Sequence, residues 1–394
     1  MGEGSGRVVR LRGMAFDHPR NFAPLKATAA AYGDEGTGVE VAWDARSLKD
    51  FEDYPVERLA ERYDLFVMDH PFVGTGVQNG VLLPLDEFLP EGYLADQEQN
   101  SVGPSYRSYT WEGRQWALAV DAASQVSAYR PDLLDEAGGR VPATWDEVFA
   151  LAESLSGGRK IGLSLNPTHS YCSFLTLCAN LAGDGFWQEG SGVDAAVAGE
   201  ALEILHRLAR VAYEASLALD PIKVSELMAR GDEIVYAPLL FGYATYARPD
   251  LVPQALRYAG IPSTGEPAGA VLGGVGLAVS ALSAHREEAA GYAAYVAGET
   301  IQKGLYFDSG GQPGHRSAWV DDGINGRSNH FFRDTLATLD LAYLRPRYPG
   351  FPAFQRRAGA CVHRFLLNGG SPRETVAELN RLYDESRTIS REAR

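Results

Sequence analysis

The chain has 394 residues, 45% of them hydrophobic and 22% charged, a globular composition too long for one ordinary core and about right for two domains. A formal net charge of −15, with no Lys/Arg cluster, argues against nucleic acid as a partner. No apolar run approaches the roughly 20 residues of a membrane helix, so membrane insertion is not expected. Cys172, Cys178 and Cys361 are odd in number and lack metal-ligand spacing. They are read as buried free thiols, with no metal and no cofactor expected.

The first residues, Met1-Gly-Glu-Gly-Ser-Gly-Arg-Val-Val-Arg, carry no apolar stretch, no small-residue cleavage site and no lipobox cysteine. Either an export signal has been trimmed or the protein is never exported, and the Met1 start favours the second reading. Val8–Phe16 then reads as a strand, Asn21–Tyr32 as an alanine-rich helix and Val39–Trp43 as a second strand. Val56, Leu59, Ala60 and Tyr63 recur at i, i+3, i+4 and i+7, which predicts a helix. Asp64–Asp69 predicts a third, buried strand. Strand–helix–strand spacing of this kind predicts a parallel sheet covered by helices, with ligands beyond the carboxyl ends of the strands. Those ends lead here into Asp17-His18-Pro19 and Asp69-His70-Pro71.

Arg114–Asp121 and Gln125–Tyr129 read as extended segments crossing into a second lobe. Thr144 with Glu147 forms a capping box for a helix bearing Val148, Leu151 and Leu155. Beyond it come a strand at Ile161–Leu165, an apolar helix at Tyr171–Leu181, a helix marked by Leu202, Leu205, Leu208 and Ala212, and a strand at Glu233–Ala237. Gly273-Gly274-Val275-Gly276 opens a further strand, Leu277–Ser280, before the helix Glu287–Ala297. The last 70 or so residues read as helical, with Ser371-Pro372-Arg373-Glu374 as a start signal.

Two stretches carry a family likeness. Val126–Leu155 contains Tyr129, the short segment Pro131–Glu136, Ala137-Gly138, Pro142 and Thr144-Trp145-Asp146-Glu147. Gly273–Trp319 contains a small-residue strand, a helix with Tyr292 and Tyr295, Gln302-Lys303-Gly304 and Gly310-Gly311-Gln312-Pro313. In this order and separation they resemble blocks of the family 1 extracellular solute-binding proteins, the sugar-type binding components of ABC importers. The resemblance implies an α/β fold of type II, two lobes each built on a mostly parallel sheet flanked by helices. It places lobe 1 at residues 1–118 plus 267–310 and lobe 2 at 124–261 plus 320–394. Hinge segments fall at 119–123, 262–266 and 311–319. It further implies a small polar solute such as a sugar or sugar acid as ligand, and an ABC permease as partner. The missing export signal and the paired Asp-His-Pro turns depart from the family pattern.

A sugar-type site needs aromatic faces and a few fixed polar groups. His18 and His70 follow strand ends expected to be adjacent, and an imidazole there can donate, accept or move a proton. Asp17 and Asp69 are either ligand contacts or turn caps. Asp121 sits in the crossover Val120-Asp121-Ala122, as a ligand contact or a hinge hydrogen bond. Phe241 and Tyr243 flank Gly242 after a strand, with Tyr243 or Tyr246 as a stacking face and core packing as the competing reading. Gly274, Gln312 and Arg316 complete the candidate ligand-binding set, the last two from a turn suited to a carboxylate or a hydroxyl pair. His169, His206, His285, His330 and His363 lack spaced partners and read as structural or surface residues. No nucleotide-binding loop, zinc-protease or nucleophile-elbow signature is present. An alternative stays open at this point: a cytoplasmic isomerase, lyase or hydrolase using His18, His70 and Asp69 or Asp17 as acid and base.

Overall fold

A computed structural model describes residues 8–265 and 268–392. The opening segment read for export signals, the Glu266 and Pro267 ends of a hinge and a lobe segment, and residues 393–394 lie outside the described residues.

Two compact units are present. The first runs to Ala122 and takes in Gly274–Ile324 and Pro346–Pro349. The second comprises Ala123–Gly273, Asn325–Arg345 and the chain from Gly350. Its elements and those of the first unit are labelled in chain order. They are β1 (Val9–Phe16), α1 (Pro19–Asp34), β2 (Val39–Arg46), β3 (Leu65–Met68), β4 (Ala117–Tyr129), α2 (Trp145–Ser154) and β5 (Lys160–Ile161). Then follow α3 (Pro167–Ala182), α4 (Ala195–Val211), β6 (Ile234–Phe241), β7 (Arg257–Ala259), β8 (Leu272–Val279), α5 (Arg286–Ala297), α6 (Phe331–Asp340), α7 (Phe351–Asn368) and α8 (Pro372–Glu392).

In the first unit β1 lies between β2 and β3, parallel to both, and β8 joins β3 antiparallel. The core follows from strand periodicity. Leu65 and Val67 of β3 enter one apolar cluster, with Leu11, Ala15, Val120, Leu277 and Tyr292. Phe66 and Met68 enter the other, with Met14, Ala117 and Ala278. All four β3 residues are buried, as expected for a central strand covered on both faces. The helix predicted over Val56 to Tyr63 ends at Ala60, and Tyr63 closes a turn by donating its N–H to the Leu59 carbonyl.

In the second unit β4 pairs antiparallel with β6 and β7, while β6 and β5 are parallel. The strand predicted over Ile161–Leu165 is paired only at Lys160–Ile161. Beyond it the segment stays buried, but its backbone bonds are scattered: Gly162 N–H reaches the Tyr236 carbonyl and Leu165 N–H the Ser216 carbonyl. Helix α3 is buried on almost every side and packs against α4 and α7. The glycine run read as an opener belongs to β8 itself. Gly276 lies against the Tyr109 ring and Gly273 against the Phe241 ring, where any side chain would collide.

The start of α2 shows how local chemistry sets these boundaries. Thr144 accepts a hydrogen bond from Glu147 N–H at 3.3 Å, and Glu147 accepts one from Ala143 N–H at 2.8 Å. That N–H holds the Glu147 carboxyl below its ordinary pKa. Thr144→Ala is expected to lower unfolding stability by about 1 kcal/mol, read as an earlier urea midpoint at unchanged slope.

Candidate functional site

The parallel register pairs Gly13 with Leu65 and Met14 with Phe66. These strands end at Phe16 and Met68, so both turns leave the carboxyl ends of neighbouring parallel strands. The two Asp-His-Pro turns therefore stand side by side at the carboxyl edge of the first unit's sheet, where open α/β sheets bind ligands.

The turns are built differently. Pro19 opens α1 without an N–H to cap, so the first donor needing a partner is Arg20. His18 Nδ1 accepts that N–H at 3.1 Å, while the His18 carbonyl takes the N–H groups of Asn21 and Phe22 at 2.9 Å each. The histidine, not Asp17, is thus the cap. Its Nδ1 must be unprotonated, which puts the proton of the neutral ring on Nε2. His18 is buried and stacks on Phe16 at 6.4 Å between centroids. Asp17 is left exposed. In the second turn it is the aspartate that caps: Asp69 accepts from His70 N–H at 2.9 Å and lies 3.1 Å from His70 Nδ1. His70 is fully enclosed, whereas the Asp69 side chain is 16% exposed. With His18 Nδ1 held by the cap and His70 sealed in, the structure lends no support to a pair of histidines acting as acid and base.

Asp121 closes the same edge from β4. Both its oxygens receive the Arg20 guanidinium: Nε donates to Oδ2 at 2.8 Å and Nη2 to Oδ1. The Asp121 side chain is wholly buried and that of Arg20 is 5% exposed. A guanidinium donating to both oxygens of a carboxyl favours its ionised form, because the fixed positive charge and both donated hydrogens are matched by the carboxylate. Burial pushes the Asp121 carboxyl upward from its ordinary pKa, and the Arg20 charge and hydrogen bonds pull it back.

Two backbone approaches fix Asp121. Gly274 of β8 has φ +96°, and a Cβ there would stand 2.3 Å from the Asp121 carbonyl oxygen. On another side Pro313 bridges to Asp121, and the buried Gln312 donates from Nε2 to the Ala122 carbonyl at 2.7 Å. The turn that supplies Gln312 then runs away from Asp121, with Gly314 beside Ala119 and His315 bridged to Ser101. Arg316 opens the short helix that follows.

The first unit thus brings together Asp17, His18, Asp69, His70, Asp121, Gly274 and Gln312. Phe241 and Tyr243 belong to the second unit. Phe241 ends β6 half-buried, with the His169 ring edge-on at 5.9 Å. Tyr243 is buried, its carbonyl accepting from Tyr258 Oη at 3.3 Å. Tyr246 is buried too and donates to Glu226 at 2.8 Å. Of these aromatics Phe241 presents the most open face.

Arg20 was not singled out in the sequence, though it directly follows Asp17-His18-Pro19. A basic residue in a helix first turn with no acidic neighbour there is the one signal available, and its partner lies 101 residues away. Tyr306 was missed as well. The chain kinks at Gly304 within a π-type turn at Gln302–Tyr306, and Tyr306 enters the core with its hydroxyl lacking a hydrogen-bond partner among the described residues. Burial raises its pKa well above the ordinary phenol value, with the Asp121 charge adding to the shift. Among the described residues no group of three or more His, Cys, Asp and Glu side chains is placed to hold a metal, and no helix is long and apolar enough to cross a membrane.

Two α/β units joined by several chain passages, with polar loops gathered at a strand-end edge, define the two-lobed binding-protein class. Residues 16–303 match the family model described as bacterial extracellular solute-binding protein, and the chain belongs to that family. Solved structures share the fold. Maltose-bound MalE3 of T. maritima is 18% identical with a TM-score of 0.82, over 97% of this chain and 100% of that one. A solute-binding protein of an ABC transporter from Thermotoga lettingae, bound with α-D-tagatose, gives 18% and 0.81, over 96% and 99% of the two chains. The D-mannitol-bound protein of Agrobacterium vitis gives 16% and 0.78, over 97% and 99%.

Proposed function

We propose that the protein is the substrate-binding component of an ABC importer and that it closes its two lobes on a sugar or polyol, working outside the cytoplasm and delivering to a permease. Membership of the solute-binding family carries this reading. The maltose, tagatose and mannitol held by structures of the same fold point to the ligand class. Within the first lobe, the Asp17-His18 and Asp69-His70 turns, which follow neighbouring parallel strands, supply fixed donors and acceptors at the edge where such folds bind. From the second lobe, Phe241 supplies an aromatic face for a sugar ring. The passages at 119–123, 262–266 and 311–319 serve as the hinge, with Asp121, Ala122, Gln312 and Pro313 tied to one another at two of them.

The test is a thermal-shift screen of monosaccharides, disaccharides and polyols, followed by calorimetry on each hit. At least one hit is expected, recovered chemically unchanged after incubation. His18→Ala and Asp69→Ala should each weaken it about tenfold or more, equivalent to about 1.4 kcal/mol. Unaltered affinity in both variants would show that the ligand does not sit on these turns. A hit converted to product would replace the transport reading with catalysis.

A further inference from the structure

We infer that the Arg20–Asp121 pair is a specificity-determining element, making the first lobe accept an uncharged, hydroxyl-rich solute and reject the carboxylate form of the same solute. The inference rests on the solute-binding reading above and narrows its ligand class.

Arg20 stands in the first turn of a 16-residue helix that has no acidic residue in that turn. A guanidinium combined with the positive end of a helix dipole is an anion-seeking arrangement, and left alone it would favour a sugar acid. Asp121 removes that preference. It takes two donors of the guanidinium, Nε and Nη2, with both its own oxygens, so a ligand carboxylate cannot engage that side of the fork. Opposite unit charges in contact also cancel at the distance of a ligand, and burial of both side chains keeps solvent from loosening the pair.

The other charges along this edge point the same way. Asp17 is exposed and Asp69 partly so, and both bring negative charge to the place where a ligand would lie. The second guanidinium at the strand ends, Arg46, is turned to backbone carbonyls, donating to Val67 at 3.1 Å and Asp50 at 3.3 Å, with the Phe51 ring 5.4 Å from its centre. A carboxylate brought here loses its hydration and meets acidic neighbours, while the Nε–Nη2 side of Arg20 is taken by Asp121 and Arg46 is turned to backbone carbonyls. A hydroxyl in its place is served by the same carboxylate oxygens and by His18 Nε2 at no such cost.

The experiment is calorimetry on the full chain with matched pairs: D-mannitol against D-mannonate, D-galactose against D-galacturonate, and maltose against maltobionate. For whichever pair binds, the neutral member is expected to bind about tenfold tighter or better. Asp121→Asn uncovers the Arg20 charge and should shift the acid-to-neutral affinity ratio towards the acid by about tenfold. The double variant Arg20→Gln/Asp121→Asn removes two charges that already cancel, so it should keep the wild-type ratio; it also serves if the single variant fails to fold. An acid that binds wild type as tightly as its neutral partner overturns the inference and leaves the solute-binding reading standing. A double variant whose ratio moves about tenfold overturns it equally, because Arg20 would then be acting on the ligand despite its partner. No binding by any neutral or acidic probe overturns the inference together with the sugar-type reading beneath it.

Discussion

Gly274→Ala is expected to lower unfolding stability by about 3 kcal/mol, and Gly274→Val by more. The residue has φ +96°, where an L side chain is strained. Any Cβ would also lie 2.3 Å from the Asp121 carbonyl oxygen and 2.9 Å from the Ala122 Cα. Both obstacles are backbone, so no rotamer change relieves them. The strand must move instead, and it is held there by the Gln312 amide on Ala122 and by the Arg20 fork on Asp121. Gly36 supplies the control, with φ +74° and nothing within 4 Å of an added Cβ. Gly36→Ala should therefore cost only the conformational part, about 1 kcal/mol. Urea denaturation of the two variants decides the matter. Equal losses would mean that the crowding against β4 carries no weight and that left-handed strain alone explains both.

How much of this was legible depended on the range of the interactions. The strands β1 and β3 and the helix α1 were legible because each is dictated by its own apolar pattern and by the proline and capping chemistry beside it. The positions of the Asp-His-Pro turns followed, since parallel neighbours end at the same edge. Ile161–Leu165 misled because burial alone produces an apolar run, and only Lys160 and Ile161 find ladder partners. Gly273–Gly276 read as the opening of a strand that starts at Leu277, because glycine signals punctuation locally; the run lies within the strand, where it answers to rings and backbone brought in from far along the chain. Asp121 was legible as a residue at a crossover, while its environment was not. The Arg20 fork across 101 residues, the approach of Gly274 and the inward kink at Gly304 are tertiary facts with no periodicity to betray them.

Breaking the Arg20–Asp121 pair from either side should be costly, and unequally so. Asp121→Leu leaves a buried guanidinium that cannot shed its proton, and the expected loss is about 4 kcal/mol. Arg20→Met leaves a buried carboxyl instead. Burial already pushes the Asp121 pKa upward, and with the opposing Arg20 charge gone nothing pulls it back. Asp121 then escapes by taking up a proton, so Arg20→Met should cost less, about 2 to 3 kcal/mol at neutral pH. The sign of its pH dependence follows. A carboxyl whose folded pKa lies above its unfolded value binds more protons when folded, so stability falls as pH rises from the unfolded towards the folded value. Acidifying from neutral towards about pH 5 should accordingly recover part of the Arg20→Met loss and none of the Asp121→Leu loss. Arg20→Met/Asp121→Leu replaces both charges by apolar groups of similar size and should stand within about 1 kcal/mol of wild type. Urea midpoints of the four proteins at two pH values give the complete cycle. If the double variant loses as much as the two singles together, the pair is not coupled. The bidentate geometry would then be incidental to what holds β4 against the first helix.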